Sequence, residues 1–246
     1  MKIFPAIDIQ GGRVVRLKYG DYNQVQVYQQ TPRQALAQFQ AAGADCLHVV
    51  DLDGAKDGQT VNFTAISPLL QGTGVFCEVG GGIRDMARAD AYLAAGAGRV
   101  ILGTAALRNR PFLLAALQKY GERIAVGVDA RDGKVAVEGW LQTSDIDSVA
   151  FCRELQQLGV ATVIYTDISK DGAEQGTNLP IYGKLSQIAG LDIVASGGIS
   201  SLEEIRTLRD MGVSAAILGK ALYSGRLDLA LAIACAAGKQ EGEGKA

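Results

Sequence analysis

Two aspartates sit at the ends of apolar, strand-length runs, Asp8 in Ala6-Ile7-Asp8 and Asp129 in Gly127-Val128-Asp129. Opposed carboxylates suit proton traffic, one protonated as an acid and the other ionised as a base, provided their surroundings push the two pKa values apart. Either Asp could instead cap a loop or pair with Arg16 or Lys18, a competing use that the repeat described below weakens. Thr166, at the end of Thr162 to Asp167, is placed to hydrogen-bond the reacting group, and Lys170 just beyond it favours an anion.

Anion holding is suggested more strongly by two glycine pairs. Gly81-Gly82-Ile83-Arg84 and Gly197-Gly198-Ile199-Ser200 each follow a strand-like run and precede a helix-like one. Glycine at that junction lets main-chain N–H groups approach a phosphate, and the helix N-terminus adds a positive dipole. The next runs end in Gly103-Thr104 and Gly219-Lys220, so each half offers a two-loop cup. Bulk at Gly81 or Gly197 is expected to block approach to those donors. The bland alternative is that the glycines only make tight turns. Trp140 belongs to a long polar loop behind Asp129, beginning at Lys134, which either folds over a ligand to stack on a flat heterocycle or anchors itself hydrophobically. The only histidine, His48, lies in an apolar strand and reads as a buried, hydrogen-bonded side chain. With one His and four scattered Cys there is no metal-ligand cluster and no Ser-His-Asp set, so no metal and no cofactor are expected.

Eight apolar runs must position these groups: Ile3 to Ile9, Cys46 to Leu52, Val75 to Val79, Arg99 to Leu102, Ile124 to Asp129, Thr162 to Asp167, Ile193 to Ser196 and Ala215 to Leu218. Runs without alternation fit a parallel sheet buried on both faces. Helices between them open at Thr31-Pro32-Arg33-Gln34 and Ser201-Leu202-Glu203-Glu204 and close at Gly43, Gly96, Gly159 and Gly212. An unbroken series of such units predicts one (βα)8 TIM barrel over residues 1–246 with a short frayed tail from about 238, an open doubly wound sheet being the alternative.

The series is also duplicated. Gly81-Gly82-Ile83 returns as Gly197-Gly198-Ile199 and Ile101-Leu102-Gly103 as Ile217-Leu218-Gly219, both 116 residues on, and Asp51 and Gly96 return as Asp167 and Gly212. Asp53-Gly54-Ala55 reappears as Asp171-Gly172-Ala173 after a two-residue insertion, and Asp8 answers to Asp129. Two half-barrels place corresponding loops on opposite sides of the mouth. The cups therefore face each other, and the implied ligand carries a phosphate at each end. Asp51 and Asp167 read as loop-orienting groups.

Composition bounds the rest. With 48% hydrophobic and 20% charged residues among 246, the chain is long enough for a large core. A net charge of -2 offers no basic field for nucleic acid or an anionic membrane, and no apolar stretch reaches the roughly 20 residues of a membrane-spanning helix. The reading is a reduced, monomeric, cytoplasmic enzyme whose partner is a small bisphosphate.

Several motifs together carry a likeness to a known family. Phe4-Pro5-Ala6-Ile7-Asp8-Ile9, His48-Val49-Val50-Asp51-Leu52-Asp53-Gly54-Ala55, Gly80-Gly81-Gly82-Ile83-Arg84, Gly139-Trp140 and Tyr165-Thr166-Asp167-Ile168-Ser169-Lys170-Asp171-Gly172 resemble the phosphoribosylformimino-aminoimidazole carboxamide ribotide isomerases of histidine biosynthesis, over nearly the whole chain to about Gly225. The resemblance implies a cofactor-free Amadori rearrangement, in which an aminoaldose opens and becomes an aminoketose. On the matching positions Asp8 would be the base taking the sugar proton and Asp129 the acid assisting ring opening. A related cyclase, the subunit of imidazole glycerol phosphate synthase, carries a Cys before the first Asp, which Ala6-Ile7-Asp8 lacks, although Lys18 leaves that assignment open. A bifunctional isomerase that also takes phosphoribosyl anthranilate is a further alternative, and a non-catalytic metabolite-binding barrel would have lost a carboxylate.

Overall fold

The computed structural model describes residues 1–18, 20–58, 61–172 and 176–239. The side chain of Lys18 and most of the tail expected to fray from about 238 lie outside the described residues. Twelve strands are found among the described residues: β1 (Lys2–Gln10), β2 (Arg13–Lys18), β3 (Asp21–Val27), β4 (Cys46–Asp51), β5 (Phe76–Gly80), β6 (Arg99–Leu102), β7 (Ile124–Arg131), β8 (Lys134–Val137), β9 (Gln142–Asp147), β10 (Thr162–Asp167), β11 (Asp192–Ser196) and β12 (Ala215–Leu218). Eight of them, β1, β4, β5, β6, β7, β10, β11 and β12, pair in parallel, and β7 joining β10 closes the ring. Helices alternate with these strands, which makes a TIM barrel. All eight expected runs are barrel strands, with ends shifted by at most a residue or two.

The strands lack alternation because both faces are covered. Outward side chains such as Ile7, Ile9, Leu47 and Val49 are buried beneath the helices, while Phe4, Ala6, Ile101, Ala125, Ile164, Val194 and Ile217 fill the interior. Thr31 accepts from Gln34 N while Gln34 bonds back, the reciprocal cap its spacing implies, and Ser201 accepts from Glu204 N. Gly43, Gly96, Gly159 and Gly212 take φ of 91°, 106°, 90° and 81° just past helix ends.

One expectation is corrected. The segment from Lys134 is not a polar loop: it turns back on β7 as the hairpin strand β8, with Val135, Ala136 and Val137 buried, and continues into β9. The first half has the same device, β2 and β3 added to β1. The registers correspond residue for residue. Asp8 pairs Val15 and Gln10 pairs Arg13 in one half, and Asp129 pairs Ala136 and Arg131 pairs Lys134 in the other. The duplication thus extends to two antiparallel arms rising from opposite sides of the mouth.

Candidate active site

The barrel is built in layers, and the strand registers put the chemistry in the uppermost. Asp129 is level with Thr166, Thr166 with Ser196, Asp8 with Val50, and Val50 with Gly80. Asp8 and Asp129 stand on β1 and β7, four strands apart in a ring of eight, so they oppose each other across the mouth. A cavity of about 230 Å³ opens over this layer, lined by Asp8, Asp129 and Thr166 together with Gly81, Gly82, Arg84, Gly103 and Thr104 from one half and Gly197, Gly198, Gly219 and Lys220 from the other. Trp140 also lines it; Lys170 does not, its main chain instead lying under Gly198, where an added Cβ would come within 2.9 Å of Lys170 O.

Each carboxylate has a distinct setting. Arg16 Nη1 donates to Asp8 Oδ2 at 2.8 Å, the ion pairing that sequence left open, with both side chains largely covered. Asp8 keeps its second oxygen for the cavity. Burial pushes the Asp129 carboxyl above its ordinary range, against opposing hydrogen bonds from Trp140 and Thr166. A carboxyl whose proton affinity burial raises, facing one that is ion-paired, is a pair of settings able to divide acid and base work.

Sequence reasoning missed a third carboxylate. Asp171 lines the same cavity; burial and the charges of Asp8 and Asp129 raise its pKa while Arg16 opposes them. Its counterpart Asp53 is spent on structure, accepting from Gly11 N at 2.7 Å and Asn62 Nδ2 at 2.8 Å. The repeat aligned the two residues, and only the fold separates their uses. Arg16 was likewise visible only as a partner for Asp8, yet its guanidinium also lies against Gly219, where an added Cβ would be 1.9 Å from Nη2.

Asp51 and Asp167 orient loops, as read from their positions. Asp51 Oδ1 accepts from Gly54 N and Asn62 Nδ2, and Asp167 accepts from Ser169 N, Ser169 Oγ and Asn178 Nδ2. Asn62 and Asn178 are again 116 residues apart. The glycine pairs have a second reason to be glycine. At Gly81, φ +102°, a Cβ would lie 2.1 Å from Asp51 O, and at Gly197, φ +93°, 2.7 Å from Asp167 O. Bulk there would strike the preceding strand's end before it reached any ligand.

The ends of the two cups tie into the loops over the carboxylates. Thr104 Oγ1 accepts from Glu138 N at 2.9 Å, anchoring the β8–β9 arm, and Lys220 Nζ donates to Gly172 O at 2.8 Å, next to Asp171. Within that arm Glu138, Gly139 and Trp140 take φ of 55°, 63° and 73°. A left-handed Trp is strained, and the strain is spent turning the indole onto Asp129 and against Gly20 of the opposite arm, where an added Cβ would be 2.0 Å from Trp140 Cε3. Here the ring lies over Asp129 at the cavity's edge.

With the layer, the cups and the facing carboxylates in place, comparison with known proteins is decisive on ancestry. The model of the family described as histidine biosynthesis protein matches residues 2–228. The chain belongs to that family. Relatives include proteins of Brachyspira hyodysenteriae, 48% identical over 93% of this chain and 96% of theirs, and of Ruminiclostridium cellulolyticum, 45% identical over 95% and 99%. A third, from Synechocystis, is 46% identical over 95% of this chain and 92% of its own. Each is named 1-(5-phosphoribosyl)-5-((5-phosphoribosylamino)methylideneamino)imidazole-4-carboxamide isomerase. Family membership agrees with the barrel, and the relatives' name specifies two phosphoribosyl groups.

Proposed function

We propose that this chain is an isomerase of histidine biosynthesis that converts the bisphosphorylated aminoaldose named for its relatives into the corresponding aminoketose. The observation that carries the reading is the pair Asp8 and Asp129, facing each other in one layer between two duplicated glycine cups. A substrate with a phosphate at each end spans the cups and lays its reacting ribose between the carboxylates. Main-chain donors at Gly81, Gly82 and Gly103, with Arg84 and Thr104, hold one phosphate; Gly197, Gly198, Gly219 and Lys220 hold the other.

Asp129, whose proton affinity burial raises, gives a proton to the ring oxygen, and the ribosylamine opens to an imine. Asp8 then removes the proton from the adjacent sugar carbon to give an enaminol, which takes that proton back on the former anomeric carbon and loses its hydroxyl proton to Asp129, leaving the ketone and both carboxyls as they began. Thr166 steadies the Asp129 carboxyl. Both steps need only proton transfer, so the proposal calls for no metal and no cofactor. Both cups and both carboxylates come from one chain, so the enzyme is proposed to act as a monomer, in the cytoplasm, where its four free, buried cysteines stay reduced. Among the described residues no helix is long and apolar enough to cross a membrane.

The test is to supply the aminoaldose bisphosphate to purified protein and follow the aminoketose. Its formation with wild-type protein, and its loss in Asp8→Asn, is the expected result. Turnover of the ketose with ammonia instead would identify a cyclase, and binding without conversion a metabolite-binding barrel.

A further inference from the structure

One pleat below the reacting layer, the cavity floor is made of Ala6, Ile101, Gly127, Ile164 and Ile217, and of one polar side chain, His48. The ring is not there by default. Its Nδ1 lies 2.6 Å from Glu78 Oε1, and Glu78, fully buried on the neighbouring strand, spends its other oxygen on Arg99, whose Nε donates at 2.7 Å. Arg99 is fixed in turn by Thr162 Oγ1 at 3.2 Å and by the rings of Phe4 and Phe76, each 5.6 Å away. Strand register places these three residues side by side on β4, β5 and β6.

Such a row is expensive inside a barrel. Barrel interiors are ordinarily filled with branched apolar residues, and replacing a buried ion pair by apolar side chains is often neutral or stabilising. Stability therefore does not explain it. Its geometric effect is specific: a carboxylate on one imidazole nitrogen sets the tautomer and aims the other nitrogen. With Nδ1 committed to Glu78, Nε2 is the polar atom His48 has left for the cavity that Asp8 and Asp129 also line.

We propose that His48 is a substrate-binding residue on the floor of the active site, its Nε2 accepting a hydroxyl of the sugar held between Asp8 and Asp129, with Glu78 and Arg99 as its positioning residues. The hydrogen bond fixes the face of the ribose so that the carbon to be deprotonated meets Asp8. This rests on the isomerase reading above.

His48 is the only histidine in the chain, so its imidazole nitrogen resonances identify themselves without assignment. In uniformly 15N-labelled Asp8→Asn protein, Nδ1 is expected to carry the proton and Nε2 to be bare, and adding the aminoaldose bisphosphate should move the Nε2 resonance. A protonated Nε2, or a resonance that ignores the substrate, would overturn the proposal. In steady-state assays His48→Leu should lower kcat/KM about 10- to 100-fold, the range for leaving a hydroxyl without its buried partner, with His48→Gln recovering part of it. Replacing Glu78 and Arg99 together by Leu should keep the melting temperature and lose a similar factor in kcat/KM. A merely structural row would leave kcat/KM of that folded double variant at the wild-type value. Absence of turnover in the wild type would instead sink the isomerase reading, which keeps the two failures apart.

Discussion

The three aspartates of the mouth show how one residue type is given different work by its neighbours. Asp8 is ion-paired with Arg16, Asp129 is half-buried and hydrogen-bonded by Trp140 and Thr166, and Asp171 feels the charges of both. Asp8→Asn and Asp129→Asn should each fold and bind the bisphosphate while kcat falls about 100- to 10,000-fold, as removal of general acid–base catalysis does. Steady-state kinetics with a binding titration checks this, and near-wild-type turnover in either variant would make that Asp structural. Asp129 also carries a stability signature. Its pKa is raised in the folded state, so the folded protein keeps a proton that the unfolded chain releases near pH 3.9; stability is lost as pH rises from there through the folded value and is not regained above it. Asp129→Asn removes that loss. Its melting temperature should exceed the wild type's at about pH 8, and the gap should close as pH falls toward about 3, below the unfolded pKa, where both states hold the proton. A gap that widened on acidification would mean that the native carboxyl is ionised more readily than the unfolded one.

At the level of elements, the duplicated loops have been turned to unequal purposes. Asn62 is 2% exposed and serves Asp51, Asp53 and Gly12 at once, whereas Asn178, its counterpart, is half-buried and bonds Asp167. Asn62→Ala takes a partner from the buried Asp51, the half-buried Asp53 and the N–H of Gly12, and should cost about 1–3 kcal/mol, with Asn178→Ala costing less. Urea denaturation of the two variants decides it, and equal losses would contradict the asymmetry. The expectation that bulk at Gly81 or Gly197 acts by blocking phosphate is revised by the same packing. A methyl group there meets the carbonyl of Asp51 or Asp167 at a positive φ, so Gly81→Ala and Gly197→Ala should lower the melting temperature as well as affinity. They are poor probes of the cups, and charge truncation at Arg84 and Lys220 is better.

Over the whole molecule, the two-fold repeat makes a claim about the ligand that no single loop makes. Cups on β5–β6 and β11–β12 lie on opposite sides of the ring, so Arg84→Met and Lys220→Met should each raise KM for the bisphosphate about 10- to 100-fold, the scale of one charge-assisted hydrogen bond. A substrate analogue lacking one phosphate should feel only one of the two changes, and equal sensitivity to both would place the cups on the same end of the ligand. Exhaustive chelation should leave turnover intact. Among the described residues no group of three or more His, Cys, Asp or Glu side chains could hold a metal ion, and lost activity restored by a divalent cation would overturn the proton-only mechanism.

Strand runs such as Ile124 to Asp129, the capped helix starts at Thr31 and Ser201, and the 116-residue repeat are local or periodic properties of the chain, and so are legible in the order of residues alone. They decide the barrel, the opposition of Asp8 and Asp129, and the two cups. The β2–β3 and β8–β9 arms are not legible in that way because what buries Val135 and Val137 is the chain folding back on β7, not a pattern within the segment. Asp171 and Asp53 carry the same three-residue signature, yet one faces the mouth and the other closes a turn. That difference depends on Arg16 and Asn62, which come to them from distant positions. The same is true of His48: an apolar strand predicts a buried histidine, but which nitrogen is free is set by Glu78 and Arg99 on the next two strands. Sequence determines what a residue can do and which strand presents it; the partners that select one use among several are assembled only when the barrel closes.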